Sequence, residues 1–201
     1  MKPHLHKLSD LLGAAADLLD RLGPVTGLRV GIHPTLAEGI RLLVQTGEPY
    51  TDAVGPLDRI GAALAAPVDQ GRTPALNYAS VRGVWKGAPV HGSHLYPPGP
   101  LDKGPCTRSA ADLGRRVHAL IPWAEHDWAR RTESIHAYDE NGAPRLHVVI
   151  ATDGPLDDTL TAFLDAAGLL QYRHERKFDY VAHGSVLLED GTVVTASVIT
   201  P

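Results

Sequence analysis

Three turn signals do most to limit the fold. Lys86-Gly87, Asn141-Gly142 and Asp190-Gly191 each lie between two runs of strand-forming residues, and a reversal that needs positive-φ residues between such runs is a β-hairpin. They join "LNYASVRGVW" to "APVHGSHLYP", "SIHAY" to "RLHVVIAT", and "YVAHGSVLL" to "TVVTASVI". Three hairpins in one chain predict a largely antiparallel sheet.

Helical periodicity fills much of the remainder. Ser9 precedes Leu11, Leu12, Ala15, Leu18, Leu19 and Leu22 on one face, ending at Gly23-Pro24. "LRVGIH", residues 28–33, reads as a strand, and Thr35 with Glu38 reads as a capping box that starts a helix running to about Gln45. Further helices are expected from Leu57 to Ala66, from Ser109 to Pro122, around Trp123 to Arg131, and from Pro155 to Ala167, with Asp153 as a cap for the last. Helices and hairpins in this mixture predict an α+β fold, an antiparallel sheet built from β-hairpins with helices packed on one face.

The order also echoes itself. Leu28–Ile32 resembles Leu146–Ile150, and each is followed by a predicted helix and a hairpin introduced by tyrosine, Tyr78 or Tyr180. The expectation is one compact domain, 1–201, with sub-halves 26–97 and 133–201 joined by a Pro/Gly-rich connector at 97–105 and related by weak duplication of a strand-helix-hairpin unit.

Composition narrows the function classes. A net charge of -4 gives no broad attraction for phosphate backbones or anionic membranes, and 5% aromatic residues leave little surface for stacking bases, so nucleic acid is not an expected partner. The basic run Arg173–Lys177 reads as a solvated turn. The amino-terminal stretch "MKPHLHKLSD" has no secretory pattern and no window is apolar enough to span a bilayer, so no membrane association is expected. Cys106 is the single cysteine, which excludes an internal disulfide and a cysteine-rich zinc site and favours a cytoplasmic setting. Trp85, Trp123 and Trp128 read as core fillers.

Eleven histidines raise the question of metal chemistry. His91 and His94 are three apart, which sends them to opposite faces of a strand, and His126-Asp127 would need an interrupted helix to ligate together. No HExxH helix, nucleotide-binding loop or G-x-S-x-G elbow is present, so neither a metal nor a cofactor is expected.

The tripeptide His-Gly-Ser occurs twice, at His91-Gly92-Ser93 and His183-Gly184-Ser185. On a strand the first and third residues share a face, so each copy can present an imidazole for proton transfer beside a hydroxyl for a phosphate oxygen. Two such motifs in an α+β chain of this size resemble the 2H phosphoesterase superfamily. That resemblance implies hydrolysis of cyclic or 2′,5′ phosphodiesters, with His91 and His183 as acid and base and Ser93 and Ser185 on the phosphate. The copies differ in setting, because His91 follows its hairpin turn and His183 precedes its own, and Ser93 is followed by His94 where the family has an apolar residue. The leading expectation is therefore a non-catalytic cytoplasmic protein that binds a protein partner or forms a homo-oligomer. Regulatory binding of a small ligand between the two halves is a third expectation.

Overall fold

The computed structural model describes residues 4–45, 55–72, 77–96, 107–140, 142–166, 173–178, 181–188 and 190–200. The connector at 97–105 and Cys106 lie outside them.

Helix α1 (Leu8–Leu22) leads into strands β1 (Leu28–Ile32) and β2 (Ile40–Val44), then helix α2 (Pro56–Leu64) and strands β3 (Asp69–Arg72), β4 (Asn77–Trp85) and β5 (Ala88–Tyr96). The same order then returns as α3 (Ala110–His118), β6 (Thr132–Glu140), β7 (Ala143–Ala151), α4 (Leu156–Ala166), β8 (Arg173–Phe178), β9 (Val181–Leu187) and β10 (Val193–Ile199). Two 3-10 turns, Ile121–Glu125 and Asp127–Arg131, are inserted before β6.

All ten strands form one sheet, ordered β3-β4-β5-β2-β1-β6-β7-β10-β9-β8. Outward from the β1/β6 seam, each half places its first, second, fifth, fourth and third strand in turn. The two halves thus share one connectivity about the antiparallel β1/β6 pairing, in which Gly31 lies opposite His136. The pairs β2/β5 and β7/β10 are parallel because a helix and a hairpin intervene between their strands; every other pair is antiparallel. The class is α+β with a mostly antiparallel sheet.

Alternation explains which face is covered. On β1 and β2 the residues Leu28, Val30, Ile32, Ile40, Leu42 and Val44 are buried, and on β5 and β10 the same holds for Val90, Val194, Ala196 and Val198. They join leucines of α1, α2, α3 and α4 in one hydrophobic cluster, so all four helices cover the same side of the sheet. The residues between them face the other side, away from the helices.

Local chemistry accounts for the elements that match expectation. Ser109 Oγ accepts the Asp112 N–H at 3.2 Å and caps α3. Lys86 and Gly87 both have positive φ, 47° and 82°, and close the β4/β5 hairpin. Trp128 is buried, with its ring centroid 4.6 Å from that of Phe163 on α4, as core filling requires. Trp85 Nε1 donates to Asp17 Oδ2 at 2.8 Å and ties the β4/β5 hairpin to α1.

Other expectations are corrected. The helix expected from Thr35 to Gln45 is absent: 40–44 form β2, with Ile40, Leu42 and Val44 inward in period two. The capping box is also absent, since Thr35 Oγ1 donates to Glu133 Oε2 at 3.2 Å and Glu38 pairs with Arg41 at 3.3 Å. The basic run 173–177, expected to be a turn, lies wholly in edge strand β8. Asp153 is exposed, and it is Thr152 Oγ1 that accepts the Gly154 N–H at the head of α4, at 3.1 Å. Finally, the strand containing 146–150 corresponds in topology to β2, not to β1.

Candidate functional site: a histidine row at the seam

The side of the sheet away from the helices carries one transverse row in register. Arg82 pairs with His91, His91 with Arg41, Arg41 with Gly31, Gly31 with His136, and His136 with His147. Each member is an outward residue of its strand, so six neighbouring strands bring arginine, imidazole and one glycine into line. His33, two residues beyond Gly31, folds back over it: its ring centroid is 5.2 Å from that of His136 in an edge-on arrangement. The His136 and His147 centroids are 6.3 Å apart.

A hydroxyl extends the row on one side. Ser197 on β10 is buried, and its Oγ lies 2.8 Å from His147 Nε2 and 2.7 Å from His183 Nδ1. One hydroxyl can donate to one imidazole and accept from the other, so Ser197 links the two rings. On β6, Ser134 Oγ lies 3.1 Å from His136 Nε2 and holds that ring in place.

At the seam this row lines a depression of about 410 Å³, bordered by Arg29, Gly31, His33, Arg41, His136, Tyr138 and His147 together with Val30 and Leu43. Two imidazole rings pack into the space that the missing Gly31 side chain leaves. A Cβ built on Gly31 would lie 2.6 Å from His33 Nε2 and 3.3 Å from His136 Nδ1. The Arg29 guanidinium lies 4.3 Å over the Tyr138 ring, a cation–π contact that fixes its plane.

The electrostatics follow from burial among cations. His136 is pushed down to about 4, mainly by burial and further by His33 and Arg29. Burial and Arg41 lower His33 as well. His91 is lowered by burial and by Arg82, against the opposing pull of Glu38. His33 and His136 are therefore neutral near pH 7 and can donate or accept hydrogen bonds, while the guanidiniums hold the positive charge. Among the described residues no group of three or more His, Cys, Asp or Glu side chains is arranged to hold a metal ion.

The four residues of the repeated tripeptide fall within this picture without forming one site. His91, Ser93, His183 and Ser185 all project from the side away from the helices. His91 on β5 and His183 on β9 are six strand spacings apart, about 29 Å at ~4.8 Å per strand. An acid and a base acting on one scissile bond must both reach it within a few ångströms, so the paired arrangement implied by the 2H resemblance is not assembled. The strands carrying the copies are also not equivalent, since β5 corresponds to β10 and β4 to β9.

The middle glycines account for the repetition. A Cβ on Gly92 would lie 2.8 Å from Val81 Cγ1 and 3.2 Å from Leu57 and Ile60 of α2; one on Gly184 would lie 3.0 Å from Leu164 and 3.3 Å from Leu160 of α4. Each His-Gly-Ser marks where a helix lies close on the sheet.

Sequence reasoning missed His33, His136, His147, Arg29, Arg41 and Ser197 as a group, because they come from five separate strands and a strand end. It also missed a signal for the correct repeat. Gly-Pro-Leu-Asp heads both α2 and α4, at 55–58 and 154–157, and aligning those tetrapeptides would have matched β2 with β7.

Comparison with protein-family models and with curated proteins finds no match. Among solved structures, a Bacillus subtilis subsp. subtilis str. 168 chain described as a "putative dioxygenase" aligns at TM-score 0.26 and 8% identity, covering 100% of this chain and 83% of that one. A likeness at that level carries no argument about function.

Proposed function

We propose that this chain is a non-catalytic binding protein that takes a small ligand in the depression at the seam between its two halves. The observation that carries this reading is the convergence of Arg29, His33, Arg41, His136, Tyr138 and His147 on one space of about 410 Å³ where the halves meet. That volume is within the range of small-molecule sites, and few, fixed polar groups on rigid strands are what such sites use. An enzymatic reading has less support, because the two imidazoles that the phosphoesterase chemistry would need stand on widely separated strands.

Assembly with a protein partner or a second copy has less support too. Among the described residues the large apolar side chains that stand exposed are Leu5 ahead of α1, Tyr78 and Val84 on β4 and Leu187 on β9, and scattered apolar residues are normal on a monomer. No helix among the described residues is long and apolar enough to cross a membrane.

The test is amide chemical-shift mapping of the full chain against a set of small acidic, neutral and basic metabolites. Shifts centred on Gly31, His136 and His147 with at least one compound are expected. Shifts centred elsewhere, or none at all, would overturn the reading.

A further inference from the structure

The seam depression has a chemical signature that names the class of ligand. Its lining includes two guanidiniums and three imidazoles, and no carboxylate among the described residues. Glu38, outside the lining, accepts from Arg41 at 3.3 Å. This is unusual in a chain whose net charge is -4. Arginines gathered on one patch of an acidic molecule favour an anion and oppose a cation at short range.

The geometry around Gly31 adds where the anion sits. The His33 and His136 rings close over the glycine, with His33 Nε2 and His136 Nδ1 at 2.6 and 3.3 Å from where a Cβ would stand, so both nitrogens lie at the floor of the depression. Ser134 Oγ, 3.1 Å from His136 Nε2, engages the far side of that ring and leaves Nδ1 facing Gly31 and His33. Arg29 Nε is buried without a hydrogen-bond partner among the described residues, so part of that guanidinium's donor capacity is unspent inside the protein.

We propose that the seam depression is an anion site in which a phosphate or carboxylate group seats beside the His33 and His136 rings, receives hydrogen bonds from them, and is neutralised by Arg29 and Arg41. The proposal rests on the binding role inferred above and deepens it by naming the ligand's chemistry. Protons follow the anion: a negative charge placed beside imidazoles held neutral by burial favours their charged form, so binding takes up protons and strengthens as pH falls from 7.5 toward about 5.5.

The experiment is calorimetric titration of the full chain with inorganic phosphate and, separately, with citrate, in two buffers of different ionisation enthalpy, alongside the amide mapping. The expected result is saturable binding of at least one probe, net proton uptake, and shifts at Gly31 and His136. Arg29→Gln and Arg41→Gln should each weaken it roughly tenfold or more, the scale of a lost charge-assisted hydrogen bond. Gly31→Ala should also weaken it, because its Cβ displaces the His33 ring that packs there. The stronger probe separates a phosphate ligand from a carboxylate one. Because a glycine variant can alter folding, melting temperature and circular dichroism are compared first, and Arg41→Gln, at an exposed position, serves as the second variant.

Equal affinity in wild type and in both arginine variants would overturn the proposal. If neutral or basic compounds shift the seam resonances while phosphate and citrate do not, the anion assignment fails and the binding role stands. If no compound of any charge reaches the seam, both fail.

Discussion

His136 illustrates how a residue acquires its properties from its neighbours. An isolated histidine titrates near 6.5, and here burial, followed by His33 and Arg29, holds it to about 4. The unfolded chain binds the proton at the ordinary value, so between those two values the unfolded state carries more protons and stability falls as pH falls. The loss is complete below about pH 4, and the whole shift corresponds to roughly 3 kcal/mol or slightly more. Urea unfolding of wild type and His136→Asn at pH 7 and pH 5 should therefore show a smaller acid loss in the variant. Parallel losses in both proteins would mean that His136 is not the group responsible. The sequence showed that 136 falls on a strand within "SIHAY", but its titration depends on residues a hundred positions away.

Between elements, the controlling contacts are helix against sheet. Leu57 and Ile60 of α2 and Leu160 and Leu164 of α4 come down on strand glycines, and the gap they leave cannot admit a side chain. Gly92→Val and Gly184→Val should each destabilise by about 1–3 kcal/mol, the ordinary cost of overpacking. Ser93→Ala and Ser185→Ala, whose side chains project from the opposite side, should fall within about 0.5 kcal/mol of wild type. Denaturant midpoints decide it, and a serine variant as damaging as its neighbouring glycine variant would contradict this account. Helix–helix packing follows the same rule at Gly114 of α3, where a Cβ would sit 3.0 Å from the Ala16 carbonyl oxygen and 3.1 Å from Leu19 Cβ of α1. The β2 error has a similar origin. Ile40-Arg-Leu-Leu-Val44 has an apolar pattern short enough to suit helix or strand, and the choice was made by β1 and β5 pairing on its two sides.

For the whole molecule, one sheet and one hydrophobic cluster run through both halves, so they should unfold together. Trp123 and Trp128 lie in the second half and Trp85 in the first. In a Trp85→Phe variant, fluorescence reports the second half alone, and its urea transition should coincide with the far-ultraviolet circular dichroism of the whole chain. A fluorescence midpoint displaced from the dichroism midpoint would show the halves to be independent. The repeated connectivity has a further consequence, because the seam is the one place where strands equivalent in the two halves, β1 and β6, pair with each other. A depression there draws its lining from both halves, and neither half alone supplies it.

What the sequence determined by itself is local: the hairpins around Lys86-Gly87 and Asn141-Gly142, the α1 stripe, the Ser109 cap, the α+β class and the burial of Trp128. Those depend on φ preferences, capping groups and short-range periodicity, all of which are complete within a few residues. Tertiary structure alone decided that β2, β3 and β8 are strands, that two strand pairs run parallel, and that His33 and His136 meet over Gly31 with His147 beside His136, while His91 and His183 do not meet. Strand order and register place those side chains, and both are set by packing between segments far apart in the chain. A motif of three adjacent residues carries no information about that placement.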